Sequence, residues 1–237
     1  MAETKGESRV QGLFDVLIAG AGYVGLTIAV SLRQARPGMR ILVVDAAPEG
    51  VWQRDGRASA VAAAAVRMLR QLGCWEEIEV EAQPITEMVI TDSRTSDPVR
   101  PVFLTFGGEA TPGEPFAHMV MNRDLNGALR RRAKELGIDI VQGVAVEAFD
   151  IEPAAVDVRL SDETSCRTRL LVAADGVKSR LRDMAGIHVV RWEYGQSGIV
   201  CTVAHERPHE GRAEEHFLPA GPFAILPLKG NRSSIVW

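Results

Sequence analysis

The chain has 237 residues, 46% of them hydrophobic and 24% charged. Those fractions exclude disordered, collagen-like and disulfide-scaffold classes, and at about 100–200 residues per domain the length holds one large domain or two small ones. The net charge of −4 and isoelectric point near 5.8 lack the basic excess of a nucleic-acid binder, so no nucleic-acid partner is expected.

Residues 1–10 are polar and are expected to fray. Phe14 to Ala19 is an unbroken apolar run, the pattern of a strand covered on both faces. Residues 23–35 follow as a helix with Val24, Ile28, Leu32 and Ala35 at helical spacing, ended by Pro37-Gly38. Ile41 to Val44 reads as a second buried strand ending at Asp45, which completes a β-α-β unit. The alanine-rich stretch 58–72 reads as one helix closed by Gly73. Residues 85–106 read as extended, and Gly107 to Pro115 as a Gly/Pro loop. Asn122 reads as the N-cap of a helix with Leu125, Leu129 and Leu136 on one face, ended by Gly137.

Strands are then expected over Ile138–Val141, Ala145–Ile151, Val156–Leu160 and Arg169–Ala173, and extended segments over 192–204, 213–218, 223–228 and 233–237. A β-α-β core is thus interrupted by a strand-rich insertion near 76–117, and further strands follow late in the chain. The insertion and the late strands are expected to pair into a separate sheet.

Gly20-Ala21-Gly22-Tyr23-Val24-Gly25 matches G-x-G-x-x-G between a buried strand and a helix, with Asp45 standing 20 residues beyond Gly25. This is the context in which the motif binds a dinucleotide. Gly20 permits the tight turn, Gly22 lets backbone approach a pyrophosphate at the helix N-terminus, and Gly25 allows close helix–strand packing. Asp45 can accept from ribose hydroxyls. The motif alone serves NAD and FAD alike.

Leu170 to Ala174 is a buried-looking strand running into Asp175-Gly176-Val177-Lys178-Ser179. On these residues the chain resembles the flavoprotein aromatic hydroxylases, single-component FAD monooxygenases typified by para-hydroxybenzoate hydroxylase. The resemblance implies FAD as cofactor, with Asp175 and Gly176 beside its ribose and pyrophosphate. Arg57-Ala58, followed by Val66, Leu69, Arg70, Leu72 and Gly73, is similar to the family's helix that begins with an Arg reaching the cofactor. Asn122-Arg123-Asp124-Leu125 resembles the segment where a polar side chain contacts the flavin; Asn122 is favoured over Arg123, and Met121 stands where many relatives carry an acid.

The run from Glu215 to Leu228, with Ser233 to Trp237, looks like the F-L-P-x-G-P-x-A-x-L-P-L … S-x-V-W stretch of the ubiquinone-biosynthesis hydroxylases. These include the 2-octaprenyl-6-methoxyphenol hydroxylases. The likeness covers residues 12–237. It implies an α/β fold: a Rossmann-like FAD-binding domain of the glutathione-reductase type (10–75 and 118–185) with an antiparallel substrate sheet (76–117 and 186–237). It implies hydroxylation of a prenylated phenol through a flavin C4a-hydroperoxide, with NAD(P)H and O2 as co-substrates. No protein nucleophile is expected, since the cofactor carries the chemistry.

Alternatives are another FAD oxidoreductase of this fold, a dehydrogenase or prenyl reductase, and a chain without FAD acting as a scaffold. The family's second flavin fingerprint, a G-D-A-A-H type stretch, does not occur between Met1 and Trp237. The chain is therefore expected to be incomplete at its C-terminal side and to hold FAD weakly or not at all.

Cys74, Cys166 and Cys201 form no C-x-x-C pair and read as semi-buried thiols in a reducing, cytoplasmic setting. Val16 to Leu32 carries no charge over 17 residues, but its three glycines favour strand, turn and helix over a membrane span. His205, His209 and His216 invite a metal, yet Pro208 interrupts the helical spacing and no metal is expected. The Arg130-Arg131-Arg132-Ala133-Lys134 run reads as a solvated helix face, with peripheral contact to anionic lipid as the alternative. A homo-oligomer or a ubiquinone-biosynthesis complex is compatible with this reading.

Overall fold

The structure is a computed structural model that describes residues 12–94, 96–107 and 109–237. The polar stretch 1–10 lies outside the described residues. In chain order the first elements are β1 (Leu13–Ala19), α1 (Tyr23–Ala35), β2 (Ile41–Asp45), β3 (Ala58–Ala62), α2 (Ala63–Gln71) and α3 (Trp75–Glu79). Next come β4 (Gln83–Ile85), β5 (Glu87–Asp92), β6 (Val102–Gly107), β7 (Glu109–Thr111), β8 (Glu114–Pro115), β9 (Ala117–Met121) and α4 (Asn122–Glu135). The remainder is β10 (Asp139–Gln142), β11 (Val146–Ile151), β12 (Val156–Leu160), β13 (Ser165–Ala173), α5 (Arg180–Met184), β14 (Val200–Ala204), β15 (Arg212–Leu218), β16 (Gly221–Leu228) and β17 (Arg232–Val236).

Two compact units result. The first runs up to Arg54 and resumes over Leu129–Arg191; the second holds Asp55–Ala128 and Trp192–Trp237. The division differs from the expected one: residues 186–191 belong with the first unit, and 55–75 and 118–128 belong with the strand-rich unit. For the latter the cause is pairing, because β3 runs antiparallel to β9 and β9 to β4, all within that unit.

The first unit is built on a six-stranded sheet in the order β10-β2-β1-β13-β12-β11. Its four strands β10, β2, β1 and β13 are parallel, while β12 and β11 are antiparallel. Leu17, Ile18, Leu42 and Val43 are fully buried, as their continuous apolar runs require. The register sets Ala19 beside Val44 on one side and Ala173 on the other. The carboxyl ends of three strands therefore finish level, and the turns that follow them open at one edge of the sheet.

Helix α1 matches its expected span but buries Gly25, Leu26, Ala29 and Val30 rather than the Val24–Ala35 stripe. The helix is apolar around most of its circumference, and the face with Gly25 and Ala29 is the one that can approach a strand most closely. Strand β13 is only partly buried, against expectation: Leu170 is 53% exposed. It pairs with β1 along Leu13–Ala19, but β12 reaches only Ser165–Thr168, so among the described residues the far side of Leu170–Ala173 has no strand neighbour.

In the second unit the insertion and late strands do pair into one sheet, ordered β14-β17-β16-β15-β5-β6. It is antiparallel except between β5 and β15, which run parallel because they come from segments separated by a crossover. Its core contains Ile85, Ala117, Met119, Ala213 and Leu228. The stretch 58–72 is not the single helix expected: Ala58–Ala62 is strand and only Ala63–Gln71 is helix. Pairing of Ala58–Ala62 with β9 overrides alanine's helical preference. The Gly/Pro loop contains a short hairpin, β7 with β8. Of the extended tail, only Val200–Ala204 of 192–204 is strand.

The three cysteines are free; Cys74 and Cys166 are buried and Cys201 is exposed, so the semi-buried expectation fails for Cys201. Burial pushes the Cys166 thiol up to about 11, which leaves it protonated and unreactive at neutral pH.

Candidate cofactor site

In the first unit a cleft of about 410 Å3 opens where the three strands end, lined by Gly20, Gly22, Asp45, Val144, Ala174, Asp175, Gly176, Lys178 and Arg180 among others. Five residues expected from the sequence therefore meet at one place: Gly20, Gly22, Asp45, Asp175 and Gly176.

The glycines divide the work. Gly20 has φ +113°, and a Cβ there would lie 2.1 Å from the Ala174 carbonyl oxygen. The turn after β1 and the turn after β13 thus touch at a spot only glycine can occupy. A Cβ on Gly25 would lie 2.0 Å from the Gly20 carbonyl oxygen, so Gly25 packs α1 onto the turn. A Cβ on Gly22 would meet nothing within 4 Å. Open space in front of backbone at the start of α1, a helix with no side-chain N-cap, fits a diphosphate received by main-chain amides.

Asp45 shapes this turn from β2. Its Oδ2 accepts from the Ala21 N–H at 2.6 Å and its Oδ1 from the Ala47 N–H at 2.7 Å. Each oxygen keeps a second lone pair for a ribose hydroxyl. Asp175 Oδ2 accepts from the Leu181 N–H at 3.2 Å, and Ser179 Oγ caps α5 by accepting from the Arg182 N–H at 3.0 Å. Gly176 takes φ +90°. The D-G-x-x-S motif is thus a folded turn with Lys178 and Arg180 at its rim, cations that favour an anionic ligand. Neither was singled out from sequence, although both flank Ser179. Tyr23 and Val24, the motif residues expected beside the cofactor with its glycines, are 41% and 56% exposed on the first turn of α1 and do not line the cleft.

The basic run on α4 is not a uniformly solvated face. Arg130 turns inward, donating Nη2 to the Ala21 carbonyl oxygen at 2.9 Å, and its guanidinium lies 5.4 Å from the Trp52 ring centroid. Ala133 is fully buried, and Arg132 pairs with Glu135 at 2.9 Å.

In the second unit Arg57 and Asn122 converge through a residue not foreseen, Asp55. Arg57 grips Asp55 through Nε and Nη2 at 2.9 and 2.7 Å. Asn122 Nδ2 donates to Asp55 Oδ2 at 3.3 Å, while Asn122 Oδ1 accepts from Ser59 Oγ at 2.7 Å. Asn122 is the first residue of α4 and its side chain is committed to this network, not to the expected N-cap. The Arg57 guanidinium holds Asp55 down to about 2. A depressed carboxylate stabilises the fold fully above its ordinary value, 3.8, and loses that contribution as pH falls toward about 2. Because Arg57 is 70% exposed, Asp55→Asn is expected to cost only about 1 kcal/mol at pH 7. Urea titrations should show that difference shrinking through the same acid window; a difference constant with pH would contradict it.

The second unit also carries a basin of about 480 Å3 on its six-stranded sheet, lined by Val89, Thr91, Leu218, Phe223, Ile225 and Trp237 among others. Phe223 and Trp237 meet edge to face at 5.9 Å. His216, 8% exposed, stands in its wall with its ring nitrogens on the Thr91 and Ser93 hydroxyls. His209 Nε2 lies 2.9 Å from the carbonyl oxygens of Leu228 and Gly230. The tail histidines thus serve as hydrogen-bonding struts.

The chain is 42% identical over 227 residues to ubiquinone hydroxylase UbiL of Rhodospirillum rubrum, covering 94% of this chain and 51% of that protein. It is 30% identical over 230 residues to 3-demethoxyubiquinol 3-hydroxylase of Escherichia coli, covering 94% and 56%. It spans about half the length of the curated relatives it matches. Its fold is shared by a crystallised variant of Pseudomonas aeruginosa PqsL, with a TM-score of 0.81 at 22% identity, over 95% of this chain and 60% of that one. The family model described as FAD binding domain matches residues 14–237, and the chain belongs to that FAD-binding family.

Proposed function

We propose that this chain carries the adenosine-diphosphate end of an FAD site and the substrate sheet of an aromatic-ring hydroxylase of ubiquinone biosynthesis. The observation that carries the reading is the convergence of Gly20, Gly22, Asp45, Asp175 and Gly176 on one cleft. Gly22 would receive the diphosphate, Asp45 the adenosine ribose, and Lys178 with Arg180 would balance the negative charge. When bound, FAD supplies the redox chemistry of ring hydroxylation, with NAD(P)H and O2 as co-substrates. The residues of this chain bind and orient.

The basin of the second unit, apolar across Val89, Leu218, Phe223, Ile225 and Trp237 with Arg100, Glu214 and His216 beside them, suits a prenylated phenol, the substrate class suggested by the relatives' names. Such a tail places the substrate in a bilayer, so the proposed working place is the cytoplasmic membrane surface, reached peripherally. Among the described residues no helix is long and apolar enough to cross a membrane.

Calorimetric titration with ADP, FAD and FMN tests the cofactor assignment. ADP and FAD are both expected to bind, and ADP should displace FAD, because the residues lining the cleft face the adenosine diphosphate that the two ligands share. FMN binding without ADP binding would refute the assignment. For the reaction, phenol-dependent oxygen uptake with hydroxylated product is the expected readout; reduction of a double bond without oxygen uptake would refute hydroxylation.

A further inference from the structure

The turn between β1 and α1 is held from two sides at one residue. Asp45 accepts the Ala21 N–H at 2.6 Å, and Arg130 donates to the Ala21 carbonyl oxygen at 2.9 Å. Ala21 is 1% exposed. Two successive peptide planes are therefore fixed, the one entering Ala21 by an anion and the one leaving it by a cation.

The second plane is the one that matters for a ligand. In a planar trans peptide the carbonyl and the following N–H point in opposite directions. A hydrogen bond that fixes the Ala21 carbonyl toward Arg130 therefore aims the Gly22 N–H away from Arg130. Gly22 lines the cleft and has open space before it. Arg130 never needs to touch a ligand to govern that amide.

Arg130 itself is set with care. Its guanidinium lies over the Trp52 ring. Burial lowers its proton affinity, while the charges of Asp45 and Glu49 raise it. Its Nε is buried without a partner. Leaving a buried charged donor unpaired is costly, and an Arg serving only as a helix-surface charge would not be held under that cost.

We propose that Arg130 is a positioning residue for the cofactor's diphosphate, acting through the Ala21 carbonyl to aim the Gly22 N–H. The inference rests on the FAD reading above and adds a residue to it.

The test compares Arg130→Met and Arg130→Lys with the parent chain, by titration with ADP and with adenosine and by amide exchange over residues 20–26. Arg130→Met is expected to weaken ADP roughly tenfold and to leave adenosine, which has no diphosphate, nearly unchanged. Exchange should accelerate in the turn while β1 and β2 keep their protection. Arg130→Lys, still a donor, should recover most of the ADP affinity. Unchanged ADP binding and unchanged turn exchange in Arg130→Met would overturn the proposal. So would equal losses for ADP and adenosine with exchange rising throughout the first unit, which marks a general packing role. If the parent binds no ADP, the FAD reading fails; selective acceleration of the turn would still uphold Arg130 as its positioner, and its absence would refute it.

Discussion

Gly20→Ala is expected to destabilise the protein by about 4 kcal/mol or more, through backbone strain and overpacking together. The position combines φ +113° with a Cβ site 2.1 Å from the Ala174 carbonyl oxygen. The atom struck is backbone, fixed by the Ala174 N–H bond to the Ala19 carbonyl at 2.8 Å, so no side-chain adjustment relieves it. Gly22→Ala is the matched control. Gly22 has φ −74° and an unobstructed Cβ site, so the variant should unfold within about 1 kcal/mol of the parent. It should nevertheless weaken ADP at least tenfold, because the new methyl stands where a diphosphate must approach. Urea denaturation and ADP titration of both variants check the pair. A stable Gly20→Ala, or a Gly22→Ala that binds ADP like the parent, would show that the glycines are not divided between folding and binding as the geometry says.

That division explains what could be read in the sequence. The G-x-G-x-x-G turn was legible because each glycine answers a local demand, and Asp45 because strand length fixes its distance from the turn. Helix α1, β2, α4 and most strands were legible for the same reason: period and punctuation are local. The misses are all tertiary. Ala58–Ala62 became a strand because β9 lies beside it. Leu170 looked buried in sequence, yet β12 stops pairing at Thr168. Arg130 sat in a basic run whose members look alike, and only the placement of α4 against the turn separates it from Arg131. Asp55 and Ser59 went unnoticed because a short carboxylate and a hydroxyl in a loop and strand carry no pattern; their roles exist only once Arg57 and Asn122 are brought to them.

Asp45→Ala should cost about 3 kcal/mol and reduce ADP affinity at least tenfold. The carboxylate serves two backbone N–H groups at 2.6 and 2.7 Å, and bonds to a charged acceptor contribute about 1.5–3 kcal/mol each, less where solvent can enter. Asp45→Asn should rescue little, since one of its two positions becomes an NH2 facing an N–H. A stability loss under about 0.5 kcal/mol would mean that water replaces the carboxylate at Ala21. The decisive step is to combine Asp45→Ala with Arg130→Met. Both act on Ala21, one on each flanking peptide plane, so once either hold is gone the turn is already loose and the second loss removes less. The double variant should therefore lose less stability than the two single losses added, by about 1 kcal/mol. Strict additivity would indicate that Asp45 and Arg130 act on the turn independently, and the two-sided grip on Ala21 would then be a coincidence of geometry with no energetic content.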